Sequence, residues 1–149
     1  MNHNDYLAVH ETLSRYATAL DEKRWVLLKD VFTPDAVVEY KGIGGCRGIG
    51  EIMDIVSGVL SQCGATQHAL SNIRIHIDGG TAKARCYLNA FHRGMADYRD
   101  NTMMVRGQYA DSLLRTAYGW RIAERKLAII DVEGDIGIPE FTAFNAASR

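Results

Sequence analysis

The sequence predicts an α+β protein in which N-terminal helices pack on one face of a curved antiparallel sheet. Three observations predict this class: helical apolar spacing in three segments before residue 64, alternation with a period of two after residue 68, and turn sequences between the alternating runs. Helices that precede a series of strands are typical of α+β folds. The 149 residues contain no linker and no internal repeat, so we expect a single domain over residues 1–149.

Three helices are predicted in the first part of the chain. Asn4 or Asp5 is expected to cap the first, whose apolar residues form one stripe. That stripe consists of Tyr6, Val9, Leu13, Tyr16, Ala17 and Leu20. A short second helix over residues 21–31 should end at residues 33–35, because Pro34 lacks an amide proton and restricts the residue before it. Its inward residues are Trp25, Leu28 and Val31. A third helix, ending near residue 63, has its apolar positions at Ile49, Ile52, Met53, Val56 and Leu60.

The strands follow in order. Residues 36–40 are predicted to form a strand, and residues 42–45 a turn. Three isoleucines between residues 73 and 77 alternate with polar residues, and residues 78–80 (DGG) predict a hairpin turn. The next strand has mainly small side chains on one face, which leave room for a helix or a ligand: Ala82, Ala84, Cys86, Leu88, Ala90 and His92. Residues 105–117 and 120–130 complete the series as two further strands.

Composition restricts the possible partners. The chain has 17 Lys and Arg against 18 Asp and Glu, a net charge of -1, which argues against a nucleic-acid surface. No apolar run approaches the roughly 20 residues of a membrane helix, and the N-terminus lacks the features of a signal peptide. Cys46, Cys63 and Cys86 are widely spaced, so neither a disulfide framework nor a cysteine-based zinc site is indicated. We expect a cytoplasmic protein that binds neither nucleic acid nor membrane.

Two residues are the first candidates for chemistry. Asp21 lies at the edge of the stripe of the first helix, about 40° around the axis from Ala17, between core and solvent. It either serves a reaction or caps the following segment, and the pattern leaves both possibilities open. His68 precedes the isoleucine strand and is a structural histidine unless a buried carboxylate lies beside it. A carboxylate there would fix the imidazole tautomer and leave the other ring nitrogen as a general base.

Further candidates come from the predicted concavity. His92 continues the alternation of the strand that begins near Ala82, so its side chain is expected on the face with small side chains, at the mouth of the concavity. Tyr16 and Tyr40 can polarise a carbonyl without carrying charge if the first helix and first strand converge, although Tyr16 also suits core packing. A metal site built from His68, His76 and His92 has no supporting spacing, and residues 42–50 lack the lysine and glycine spacing of a phosphate-binding loop. The other histidines are interpreted as solvated, as are Arg115, Arg121 and Arg125.

Several segments together resemble SnoaL-like domains of the nuclear-transport-factor-2-like (NTF2-like, cystatin-like) superfamily. The matching segments are residues 13–21 (LSRYATALD), Trp25, residues 28–36, Gln67-His68, Gly107-x-Tyr109-x-Asp111, and residues 119–122 with Arg125. The resemblance covers nearly the whole chain and implies a cone-shaped α+β barrel. Within the superfamily, the likeness is greatest to scytalone dehydratase, bile-acid 7α-dehydratase and the lindane dehydrochlorinase.

The resemblance implies a catalytic site. The Asp–His dyad of those enzymes carries over onto Asp21 and His68, their pocket tyrosines onto Tyr16 and Tyr40, and a second histidine onto His92. It implies cofactor-independent β-elimination on a small hydrophobic cyclic or polyketide- or steroid-like hydroxy-carbonyl compound, with His92 protonating the departing hydroxyl. Residues 109–113 (YADSL) depart from the scytalone dehydratase pattern, which puts scytalone itself in doubt as the substrate.

Other readings of the same fold stay open at this point. They are an isomerase or cyclase, an epoxide hydrolase or dehalogenating lyase, and a non-catalytic binding or assembly domain. The resemblance further implies no cofactor or metal and a homo-oligomer, with a trimer favoured over a dimer. Residues 136–144, which include Pro139, Phe141 and Phe144, are expected to form a lid over the pocket.

Overall fold

The computed structural model describes residues 2–142, in which helices pack on one side of a mixed six-stranded sheet. Its elements are α1 (His3–Asp21), a 3-10 helix (Trp25–Asp30), β1 (Phe32–Tyr40), β2 (Gly44–Arg47), α2 (Ile49–Leu60), β3 (Thr66–Asp78), β4 (Thr81–Arg93), a short 3-10 turn (Ala96–Tyr98), β5 (Thr102–Thr116) and β6 (Gly119–Gly134). The strand order is β2-β1-β6-β5-β4-β3.

One strand pair departs from the expected antiparallel sheet. Strands β3 to β6 form an antiparallel meander, but β6 then lies parallel to β1. The β1–β6 register shifts between Phe32 and Val37, where Pro34 lies. Proline cannot donate to a strand ladder and is tolerated at such an irregularity, so β1 begins four residues before the predicted strand.

Helix α1 carries the predicted stripe, but its cap differs. Asn2, and not Asn4 or Asp5, caps the helix, since its side chain accepts a hydrogen bond from the Asn4 amide. Asp5 instead accepts hydrogen bonds from the Trp120 indole at 3.0 Å and from Arg115 at 2.6 Å, which join α1 to the β5–β6 hairpin. The stripe residues Val9, Leu13, Tyr16, Ala17 and Leu20 are buried.

Two further boundaries differ from expectation. The second helix is confined to a 3-10 segment, with Leu28 and Val31 fully buried. Short strand β2 occupies part of the predicted 42–45 turn and pairs with β1.

Strand β4 has the predicted alternation along its whole length. The small residues from Ala82 to Ala90 are buried, and the residues between them are exposed over most of the strand. Strand β3 begins at Thr66, so that His68 lies within it, and the register puts His68 opposite Ala90 and Thr66 opposite His92. The two strands therefore bring both histidines to the helix-covered face of the sheet.

The segment after β6 returns to the core. Ile136, Ile138 and Phe141 are buried at 3–5% exposure. The expected lid thus packs against the protein as far as residue 142, and Phe144 lies outside the described residues. Within residues 2–142 no helix has the length and apolar character needed to cross a membrane.

Candidate active site

A mainly apolar cavity lies between the helices and the inner face of the sheet. Its polar lining consists of Tyr16, Tyr40, His68, His92 and Tyr109. The remaining walls are aliphatic residues of α1, α2 and strands β4 to β6, closed at one point by Phe141. The space between atoms amounts to about 520 Å³ including the mouth. Apolar walls with few polar groups are typical of small-molecule sites.

Asp21 and His68 form a direct contact at the cavity wall. Asp21 is the last residue of α1, and His68 lies near the start of β3, which packs against that helix. The Asp21 Oδ1 atom lies 2.7 Å from His68 Nδ1, while Oδ2 accepts a hydrogen bond from the His68 backbone amide at 2.8 Å. The Thr66 hydroxyl donates to Oδ1 at 3.0 Å. These bonds hold the carboxylate in one orientation relative to the ring.

The dyad has a defined electrostatic polarity. Partial burial alone would raise the pKa of Asp21, but the hydrogen bonds from His68 and Thr66 outweigh it, and the pKa lies below its ordinary value. An ionised Asp21 favours the His68 tautomer with the proton on Nδ1. The Nε2 lone pair is then the one available to the cavity, which His68 lines with a side chain only 6% exposed.

His92 is a neutral partner in the same cavity. It is 2% exposed, and its ring centroid lies 5.5 Å from that of His68 and 4.9 Å from that of Phe141. Burial, followed by the neighbouring His68, lowers the pKa of His92 to about 4. Its Nδ1 atom has no hydrogen-bond partner among residues 2–142. A ring that is neutral near pH 7 can offer a hydrogen bond to a leaving group, and the proton-donating role expected of His92 stays a prediction.

Helix α1 and strand β1 do converge, which joins the two candidate tyrosines. The Tyr16 and Tyr40 hydroxyls lie 2.8 Å apart, and either can donate. Burial raises the pKa of Tyr16 and raises the pKa of Tyr40 well above its ordinary value. Both are therefore neutral hydrogen-bond donors over the physiological pH range.

A buried ion pair behind the tyrosines was missed by the sequence interpretation. Arg125, expected to be solvated, is fully buried and donates to both carboxylate oxygens of Asp111 at 2.7 and 2.8 Å. Its guanidinium carbon lies 4.2 Å from the Tyr16 ring centroid and 3.9 Å from that of Tyr109. Its Nη1 atom is buried without a hydrogen-bond partner in the described part of the chain. A positive charge therefore lies directly behind the phenols.

The β6 register explains why Arg125 points inward. Leu113 pairs with Ile122 and Ser112 with Glu124, so Ala123 is an extra residue that reverses the inward parity. The inward position of Asp111 could be predicted from the sequence. Every second residue of β5 points inward, and Asp111 continues the series of Val105, Gly107 and Tyr109.

Other charged residues lie outside the cavity. Arg115 bonds Asp5, and Arg121 lies 3.6 Å from Asp30. His76 is exposed on the opposite sheet face from His68 and His92, so these three histidines do not converge on one ion. Among residues 2–142 no group of three or more His, Cys, Asp or Glu residues is arranged to hold a metal.

Comparison with known proteins places this site in context. The family model described as SnoaL-like domain matches residues 2–126. The uncharacterized protein Rv2910c of Mycobacterium tuberculosis strain H37Rv is 34% identical over 125 residues, which cover 82% of this chain and 83% of that protein.

Two solved structures are similar over most of their length. A candidate scytalone dehydratase from Novosphingobium aromaticivorans DSM 12444 has a TM-score of 0.81 at 23% identity, covering 89% of this chain and 88% of the other. An NTF2-like superfamily protein from Salmonella enterica serovar Typhimurium has a TM-score of 0.70 at 21% identity, covering 80% and 86%. At these identities the likeness concerns the fold.

Proposed function

Because the chain belongs to the SnoaL-like domain family and has the NTF2-like fold, we propose that its cavity is the active site of a cofactor-independent lyase. The reaction is β-elimination of water from a small hydrophobic cyclic hydroxy-carbonyl compound. The observation that carries this proposal is the 2.7 Å contact between Asp21 and His68 Nδ1 at the wall of an apolar cavity. The structural likeness to a candidate scytalone dehydratase agrees with this reaction class.

His68 serves as the base in this mechanism. Its Nε2 atom takes the proton from the carbon next to the carbonyl, and Asp21 stabilises the imidazolium that forms. The electrons of the broken C–H bond pass to the carbonyl oxygen as an enolate. Because Asp21 accepts three hydrogen bonds, it holds the ring in place throughout this step.

The phenols stabilise the enolate. Tyr40 and Tyr16 line the cavity as neutral, hydrogen-bonded donors, so one of them can bond the developing oxyanion. Arg125 lies behind the Tyr16 ring as the positive end of its ion pair with Asp111, so the pair forms a fixed dipole without contact with the substrate. A dipole with its positive end toward the phenols favours negative charge in the transition state more strongly in a buried site than it would in water.

The same histidine completes the reaction. When the enolate collapses, the C–O bond to the β-hydroxyl breaks, and the His68 imidazolium returns its proton to the departing oxygen as water. This route needs no second acid, because the proton that His68 takes up in the first step is the one it returns. His92, whose pKa lies near 4, can orient the departing hydroxyl as a neutral hydrogen-bonding group.

The cavity chemistry defines the substrate class. No carboxylate or ammonium group lines the cavity in the described residues; the polar lining consists of phenols and imidazoles. An ionised substrate would lose its hydration without a charged partner, which is costly. The lining therefore favours a neutral substrate, which agrees with the proposed cyclic hydroxy-carbonyl compound.

A panel of neutral cyclic β-hydroxy ketones tests the proposal. Conversion to the enone is followed by ultraviolet absorbance and by mass, and ¹⁸O-labelled water reveals any hydrolysis by incorporation of label. His68→Asn should lower kcat/KM by about 10²- to 10⁴-fold. His3→Asn, the same substitution at an exposed histidine, should leave it unchanged. A loss below tenfold in His68→Asn contradicts the assignment. Ring opening of a cyclic epoxide of similar size to a diol that carries ¹⁸O, with no water loss from the hydroxy ketones, favours an epoxide hydrolase.

A further inference from the structure

The sheet face turned away from the helices carries a cluster of basic residues, which we call the outer basic groove. Its basic side chains are Arg74 and His76 on β3, Lys83 and Arg85 on β4, and Lys126 on β6. All five residues are exposed. They line an open depression of about 1390 Å³ including its mouth, compared with about 520 Å³ for the inner cavity.

The register brings like charges together in this groove. Arg74 pairs directly with Arg85, and His76 with Lys83, across strands β3 and β4. Like charges opposite each other on one sheet face destabilise the sheet. The two arginines form no ion pair with any described residue, and the one carboxylate at the outer surface of the groove, Glu124, lies 3.7 Å from Lys126.

Elsewhere on the same face an arginine is neutralised. Arg106 on β5 lies 3.1 Å from Asp131 and 3.4 Å from Glu133 on β6. Lys83 in the groove, by contrast, donates to a neutral oxygen, the Ser112 hydroxyl at 2.6 Å. The groove therefore has a local excess of positive charge, although the whole chain has a net charge of -1.

We propose that the outer basic groove binds a small phosphate-bearing anion with at least two negative charges. Two neighbouring guanidinium groups offer forked N–H donors that match phosphate oxygens, and the lysines add further positive charge. The anion supplies the counter-charge that the Arg74–Arg85 pair lacks among residues 2–142. This site is separate from the inner cavity and does not depend on the proposed lyase activity.

The size of the groove favours a small ligand over nucleic acid. The basic residues occupy at most two positions on each strand between β3 and β6, a width of about 14 Å at the usual spacing between strands. The sheet beyond them presents the neutralised Arg106 group, so the basic surface does not continue along the face. A nucleic-acid strand would need a longer basic track.

Calorimetric titration of the full chain with inorganic pyrophosphate at low ionic strength tests the proposal. We expect one saturable site whose affinity falls as salt is added. The double variant Arg74→Gln, Arg85→Gln should bind about 100-fold or more weakly, because each charge-assisted hydrogen bond contributes about tenfold or more. Arg106→Gln, which alters a paired arginine on the same face, should bind as tightly as the wild type.

The double variant also has an expected effect without ligand. Removal of the like-charge pair should raise the melting temperature in buffer free of multivalent anions, which shows that the arginines are not needed for folding. The proposal would be overturned by the absence of saturable binding to the wild type, by equal binding of the double variant, or by a change in sedimentation showing that the arginines contact a second copy of the chain. Equal weakening by Arg106→Gln would show general charge screening and would likewise refute a defined site.

Discussion

Protonation of His92 should limit the stability of the protein at mildly acidic pH. In the folded state the pKa of this residue is lowered to about 4, from an ordinary value of 6.5. Between these two values the unfolded chain binds a proton that the folded chain does not, so stability rises with pH through this window and is lost as pH falls. At about 1.36 kcal/mol per pKa unit, the full effect is about 3 kcal/mol.

Urea unfolding of the wild type and of His92→Leu, each followed between about pH 7.5 and about pH 4.5, measures this effect. Over this range the wild type should lose about 2–3 kcal/mol more unfolding free energy than the variant. Asp21 does not obscure the result, because its folded pKa is lowered below 3.8 and its contribution is lost only at more acidic pH. The same comparison for His3→Leu controls for an exposed histidine. Identical pH dependence in the wild type and His92→Leu would refute the neutral buried imidazole.

Three further predictions concern substitutions in the interior. Tyr16→Phe and Tyr40→Phe should each cost about 1–3 kcal/mol by leaving a buried hydroxyl unpaired, and the double variant should cost less than their sum in urea unfolding. Arg125→Met should destabilise the protein by about 3–5 kcal/mol, because Asp111 is left charged and buried. Adding Asp111→Leu should restore most of that loss. Additive losses from the two substitutions would contradict the buried ion pair. Gly107→Ala should lower the melting temperature at a cost of about 1–3 kcal/mol, because its Cβ would lie 2.8 Å from a β6 carbonyl oxygen; an unchanged melting temperature would contradict the close approach.

Much of the fold was predictable because its periodicity is strong. The stripe of α1 and the alternation of β4 each follow from one regular spacing, and both are confirmed. The parallel pairing of β1 with β6 was not predictable, because the strands are separated by most of the chain and neither has a pattern that specifies its neighbour. Short β2 was missed for a different reason: its glycines favour a turn at least as well as a strand.

Those parts of the candidate site that follow from the alternation of a strand or from the family resemblance could be predicted from the sequence. Asp21 and His68 were both identified, and the structure places them in contact. Arg125 was misassigned because a bulge at Ala123 reverses the inward face of β6, and a single extra residue leaves no signal in the alternation itself. The lowered pKa of His92 was not predictable, because burial depends on the packed cavity and not on local spacing.

Measuring the tautomer of His68 tests directly whether Asp21 prepares this imidazole as a base that faces the cavity. Long-range proton–nitrogen correlation spectra of ¹⁵N-labelled protein in mildly alkaline buffer distinguish the two ring nitrogens. We expect the proton to lie on Nδ1 and Nε2 to be unprotonated, and we expect Asp21→Asn to reduce this preference. A proton on Nε2 in the wild type would leave no lone pair for the cavity and would contradict the proposed chemistry.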